Sequence, residues 1–421
     1  MHGKSHSHSP IFGMSWSPAS TAVTALLTIL ILTLTAQAQT YSVIHTFISG
    51  GDGANPYAGV TVGPGGVLYG TASEAGTHGS GTVFKLSQVN STWVFSPLYE
   101  FAGGSDGSYP IGGVVIGPNG ALYGTTEGGG PQNFGIVFEL RPPLTVCKAI
   151  LCYWNVTVLH TFTGTPDGFF PELENLAFDP AGDIYGTTVN GGMYGDGITF
   201  ELTPSGGVYT ESIIHNFGSG EEGLFPYSGV VLDTAGSVYG ITGEGGTGAV
   251  GTVYQLMPSH GGWVENVLVN FDGGNGSGPI GNLVTDASGK LYGTTRNGGQ
   301  GNDGVVFRLA PSDGGFTYSV LYTFSSMCSP YGGVVMGATG NFFGVCYDGG
   351  AYDDGWVFEL TNCSQGCTVV DLHDFSGSDG MNPYGSPALD ANGNLYGTTA
   401  VGGTVAGNCA EGCGVVWEIT P

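Results

Sequence analysis

An acid followed by glycine, then proline with an aromatic neighbour, recurs along this chain. The copies are Asp52-Gly53 before Pro56, Asp106-Gly107 before Pro110, Asp167-Gly168 before Pro171, Glu222-Gly223 before Pro226 and Asp379-Gly380 before Pro383. Asn275-Gly276 replaces one copy, and another holds Cys328 with no acid. Tyr57, Tyr109, Phe170, Tyr227, Tyr331 and Tyr384 flank the prolines. Aromatic faces stack on the apolar faces of sugars. Carboxylates accept hydrogen bonds from hydroxyl groups, or bind hard cations such as calcium. A ring of such groups would hold a glycan or a cation. The same residues have a local reading, because Asp-Gly and X-Pro are turn formers and aromatic rings can wedge structural units apart.

No residue stands out as catalytic. His45, His160, His215 and His373 recur at one repeat position; a catalytic residue is normally unique, so repetition points to a structural role. No Gly-x-Ser-x-Gly elbow sits between a strand and a helix. Carboxylates are numerous enough for a glycosidase-like pair, but nothing singles one out. The expected function is therefore non-catalytic binding of a carbohydrate or surface ligand. A lyase or hydrolase acting on polysaccharide is the alternative, and a structural extracellular protein without a small ligand is another. No cofactor is expected; calcium is the metal that the oxygen donors would suit.

Eight cysteines fit an oxidising compartment. Proximity suggests the pairs Cys147–Cys152, Cys363–Cys367 and Cys409–Cys413, which leaves Cys328 with Cys346, although eight cysteines allow many connectivities. Cys363 and Cys367 have a loose ligand-like spacing, but no histidine sits at matching spacing, so zinc at the cysteines is set aside. The N-terminus agrees with export. Lys4 precedes an apolar stretch over 21–35, and Ala36-Gln37-Ala38 forms a small-x-small cleavage site. The stretch is shorter than the roughly 20 residues of a membrane span. Residues 1–38 are expected to be a signal peptide, and 39–421 a mature chain, extracellular or periplasmic, monomeric and without a membrane span.

Charge removes two partner classes. Seven Lys and Arg against 33 Asp and Glu give a net charge of −26. Such a surface repels phosphate backbones and anionic membranes. Neutral glycans, cations and surface proteins remain.

These residues must be positioned by strands. Charged residues are 10% of the chain, with 80 glycines and 12% aromatics among 421 residues; an average protein is roughly 25% charged. Helices need charged solvent faces, so this composition points to all-β structure with many turns. An aromatic-glycine step recurs at Tyr69, Tyr123, Tyr185, Tyr239, Tyr292, Phe343 and Tyr396, at spacings of 54, 62, 54, 53, 51 and 53. Each copy holds a short apolar run, a glycine turn, a Leu-Tyr-Gly-Thr-Thr-like strand, an alternating Val-Phe-x-Leu-like strand, and a strand ending in Phe. Four strands, seven times over, predict a seven-bladed β-propeller. A solenoid would need atypical end repeats, and none is visible. The phase predicts closure: the chain opens on a fourth-type strand over 41–47 and ends on a third-type strand over 415–419, so the first would complete the last blade. Loops at alternate ends then place the acid-Gly-Pro loops and the Gly-rich loops on one face.

The unit G-x-L-Y-G-T-T-x-x-G-G, with G-x-V-F-x-L, L-H-x-F and D-G-x-x-P, is best seen at Gly393–Thr399 followed by Gly402-Gly403. It resembles the GloVer (Gloeo-Verruco) tandem repeat of exported bacterial proteins, over about 41–421, and more loosely NHL-type and kelch-type propellers. The resemblance implies the propeller fold and export, and nothing catalytic.

Overall fold

A computed structural model describes residues 39–144, 152–173, 175–218, 220–325, 327–364 and 366–421. The segment read as a signal peptide, 1–38, lies outside the described residues, as does Cys147. Residues 41–420 form one compact unit.

The repeat folds as seven four-stranded antiparallel sheets. Blade one runs Thr61–Val62, Leu68–Ala72, Thr82–Val89 and Thr92–Glu100 from the inside outward. Blades two to six repeat this order. Blade seven is built from Ala388–Leu389, Leu395–Thr399 and Val415–Thr420, and its outer strand is the N-terminal Thr40–Thr46. The predicted closure is thus observed. Among the described residues helix is confined to two short 3-10 turns, and none is long and apolar enough to cross a membrane.

The aromatic-glycine step has a packing cause. Gly70 pairs across the sheet with Phe84, and a Cβ on Gly70 would lie 2.5 Å from the ring tip. The missing side chain gives the third strand's aromatic a flat bed, and the same pairing recurs at Gly124 with Phe138 and at Gly397 with Trp417. The third-strand aromatics then meet the phenylalanines that end the fourth strands. Phe47, Phe101, Phe162, Phe217, Phe271 and Phe375 are wholly buried. Hydrophobic clusters lie between blades: one joins Phe47, Tyr396 and Val416 to Leu68, Phe84 and Leu86. Burying such faces is the dominant stabilising term in a fold of this kind.

Side-chain hydroxyls lock neighbouring blades near the axis. Thr71 donates to the Gly112 carbonyl at 2.9 Å, Thr294 to Gly332 at 2.9 Å and Thr398 to Ala58 at 2.8 Å. The last of these spans the ring closure, as does Trp93 donating to Glu418 at 3.2 Å. Among the described residues, the disulfides Cys363–Cys367 and Cys409–Cys413 match the proximity pairing, and Cys328–Cys346 matches the pair left over.

Candidate functional site

The acid-Gly-Pro loops and the Gly-rich loops do share one face. They pair with each other through bridges such as Ala54 with Glu74, Ser108 with Gly128 and Met381 with Val401. Within each loop, however, the acid and the residue after proline sit at different radii. The acid caps the start of its own loop beside the outer strand. The residue after proline opens the inner strand at the axis. Five residues of extended chain reach up to about 17 Å, enough to separate groups that are close in sequence.

The rim acids are largely committed to their own loops. Asp52 accepts from the Ile48 and Gly50 amides, both at 3.0 Å. Asp106 accepts from the Ala102 amide and the Tyr99 hydroxyl, both at 2.9 Å. Asp167 accepts from the Thr163 amide at 2.9 Å and the Gly168 amide at 2.7 Å. Asp379 accepts from the Ser376 amide at 2.8 Å and contacts His373 at 2.9 Å. Asn275 plays the same part, accepting from the Asp272 amide at 2.9 Å. Burial opposes ionisation of Asp52, but hydrogen bonds from His45, Ile48 and Gly50 outweigh it and hold the carboxyl below its ordinary range. The turn-forming reading accounts for these contacts. Glu222 belongs instead to a cluster with His215 and Glu265.

The aromatic set also divides. Tyr109 and Phe170 precede their prolines. Tyr109 is exposed beside Glu74 and Ala75 over blade one, and Phe170 packs on Phe134 and Phe169. The residues after proline behave differently. Tyr57, Tyr331 and Tyr384 line a cavity of about 130 Å³ at the axis, with Leu173, Asn175, Ile280 and Asn282. The Tyr331 and Tyr384 ring centres are 4.6 Å apart, and Tyr57 meets Tyr384 edge-on at 5.6 Å. Tyr227 occupies the equivalent place in blade four but does not line the cavity. Burial, and then the neighbouring Tyr331, push the Tyr384 hydroxyl up, so it stays a protonated donor.

Glycine shapes the cavity wall. A Cβ on Gly385 would lie 2.1 Å from the Gly59 nitrogen, and one on Gly59 would lie 2.0 Å from the Ser386 carbonyl oxygen. Only glycine permits so close a backbone approach.

Four polar or aromatic residues near this mouth break the repeat, and they escaped the sequence reading. Glu172 stands where other blades carry Tyr or Ile after proline. Glu127, Arg296 and Tyr347 stand just after the second strand, where other copies have Ser73, Val189, Gly243 and Ala400. The Arg296 guanidinium lies 5.5 Å from the centre of the Tyr331 ring, within cation–π range. Tyr347 packs on Tyr331 at 4.8 Å. Burial, and then the charge of Glu127, push the Glu172 carboxyl up to about 7, and burial raises Glu127 as well. Aligning the seven copies and asking which positions carry the wrong residue type would have found all four.

The sequence profile of the Gloeobacter/Verrucomicrobia repeat matches residues 29–152 and 145–329. The chain belongs to this family. No curated protein sequence matches this Gloeobacter/Verrucomicrobia repeat chain. Among solved structures, the extracellular domain of a candidate one-component system from B. thetaiotaomicron is similar with a TM-score of 0.56 at 12% identity, over 91% of this chain and 40% of that one. The repeat chain thus spans less than half of that protein. A candidate 6-phosphogluconolactonase from Bacteroides uniformis gives a TM-score of 0.50 at 14% identity, over 79% of this chain and 88% of that one. At such identities the likeness is one of fold.

Proposed function

We propose that this protein is an exported, monomeric, non-catalytic binding propeller whose axial cavity takes a small carbohydrate or the end of a surface glycan. The observation that carries the reading is the meeting of Tyr57, Tyr331 and Tyr384, from three blades, around one cavity with Arg296 beside it. Tyrosine faces supply apolar stacking for sugar C–H groups. Their hydroxyls, the Asn175 and Asn282 side chains and the Arg296 guanidinium supply the convergent polar groups that ligand sites use for orientation. The cavity is small beside the roughly 300 Å³ and more of drug-sized pockets, which suits a single ring. Export is supported by the three disulfides. Calcium would act at the rim carboxylates, none of which lines the axial cavity, so sugar binding is expected to survive a chelator.

The test is a calorimetric binding screen of residues 39–421 against neutral and acidic oligosaccharides, with calcium and with chelator. A sugar that binds should lose at least tenfold in affinity to Tyr331→Ala or Tyr384→Ala, and nothing to Tyr109→Ala. Equal affinity across all three variants refutes the axial reading. Absence of any sugar binding by a folded chain would favour a structural or protein-binding role. The enzyme reading rests on Glu127 and Glu172, a pair in which Glu172 keeps its proton near neutrality, as a general acid must. It predicts polysaccharide turnover that Glu172→Gln abolishes.

A further inference from the structure

At each blade boundary one repeat position on the outer strand, two residues before the buried Phe, faces the next blade. Four copies place histidine there: His45, His160, His215 and His373. At two boundaries the neighbouring blade covers the ring with an aromatic. His45 stacks on Phe95 at 4.1 Å, and His373 stacks on Tyr41 at 3.5 Å. The two boundaries that flank blade three differ. There the neighbouring strand presents a carboxylate instead. His160 Nε2 lies 3.7 Å from Glu211 Oε1, and His215 Nε2 lies 3.8 Å from Glu265 Oε1. The rim acid completes each group: Asp167 lies 3.3 Å from His160, and Glu222 joins His215 and Glu265. Within each trio, one ligating atom per residue falls within 4.8 Å of the other two.

A second observation is independent of this clustering. The Glu265 side chain is only 10% exposed, and its Oε1 has no hydrogen-bond partner. His215 Nε2, facing it, is likewise unpartnered. A buried carboxyl oxygen with no donor is costly unless the group keeps its proton or a cation compensates it. Packing does not require an acid here, since Phe95 and Tyr41 fill the corresponding places with rings. The local sequence is therefore spending stability on oxygen ligands at these two boundaries alone among the four that carry histidine.

We propose that His215, Glu222 and Glu265 hold a divalent transition metal of the zinc or manganese class, and that His160, Asp167 and Glu211 form an equivalent site one blade earlier. One imidazole nitrogen and two carboxylates make a three-residue protein donor set that leaves a position for water. The imidazole selects against calcium, which prefers an all-oxygen shell. The three ligands come from the outer strand of one blade, the loop that leaves it and the outer strand of the next. The metal would thus clamp adjacent blades at the rim, where the axial threonine contacts do not reach.

The experiment uses untagged residues 39–421, which contain the whole propeller and lack His2, His6 and His8. The chain is stripped with chelator, dialysed and titrated with Zn²⁺, and in parallel with Ca²⁺. Two equivalents of zinc per chain are expected, and no calcium in preference to zinc. Glu265→Gln should lose one equivalent and Glu211→Gln the other. Glu265→Tyr, which installs the residue type found at position 41, should fold and also bind one fewer. At a hundredfold excess over Kd each site should raise the melting temperature by about 3 °C, a rise that each variant loses for its own site. Tyr384→Ala should leave the zinc stoichiometry at two, which separates this proposal from the axial reading. No zinc uptake, two equivalents retained by Glu265→Gln, or calcium bound in preference would each overturn it.

Discussion

Removing one ring from the N-terminal strand tests the closure of the propeller directly. Phe47 lies next to Thr40–Thr46, is wholly buried, and meets Phe84 of blade one at 5.4 Å and Phe95 at 5.9 Å. If this strand is as firmly docked as any outer strand, Phe47→Ala should cost what a core Phe→Ala costs, about 3–5 kcal/mol. The chain-internal equivalent Phe271, also wholly buried, should cost the same. The compact unit of Tyr41–Thr420 has an unfolding entropy of roughly 0.8 kcal/mol per degree at about 2 cal/mol/K per residue. The melting temperature should therefore fall by about 4–6 °C in both variants. Circular dichroism or calorimetric melts of residues 39–421 give the comparison, with Tyr194→Ala as the exposed control, expected within about 0.5 kcal/mol of the parent. A Phe47→Ala chain that melts with that control, while Phe271→Ala drops, would refute closure by the N-terminal strand.

Two further outcomes follow from the same geometry. Folding raises the Glu172 carboxyl from 4.5 to about 7, so between those values the folded chain binds more protons than the unfolded one, and this group's contribution to stability falls as pH rises. Glu172→Gln should then melt progressively higher relative to the parent on going from pH 4.5 to pH 8; a difference that stays flat with pH would show that the carboxyl is not held protonated. Cys328 and Cys346 are both buried and lie 18 residues apart. Replacing both with serine should remove about 3 kcal/mol on the loop-entropy account, read as a drop of about 4 °C in a thermal melt. A smaller effect than for the Cys363–Cys367 pair, whose separation is 4, would contradict that account.

The blades were legible because their signals are local and sevenfold. Period-2 alternation marks each strand, and the glycine opposite an aromatic sets the register between second and third strands. The phase of the first and last strands, a fourth type at one end and a third type at the other, was enough to close the ring. Short separations likewise suffice for Cys363–Cys367 and Cys409–Cys413, since chain length alone keeps those sulfurs together. The candidate site was legible only in part. Tyr57, Tyr331 and Tyr384 stand beside prolines, but so do Tyr109, Phe170 and Tyr227, which do not line the cavity.

The repeat by itself determined the strand order, the blade count, the face that carries the acid-Gly-Pro loops and the residues buried between blades, because each depends on periodicity and on neighbours within one repeat. The tertiary structure alone decided which side of a proline faces the axis, and so separated the rim acids from the axial tyrosines. It also brought Glu172, Arg296 and Tyr347 from three blades to one mouth, and set Glu265 opposite His215. Those meetings depend on how the closing ring orients one blade against the next. They also involve the very residues that depart from the repeat, which a reading built on what the copies share passes over.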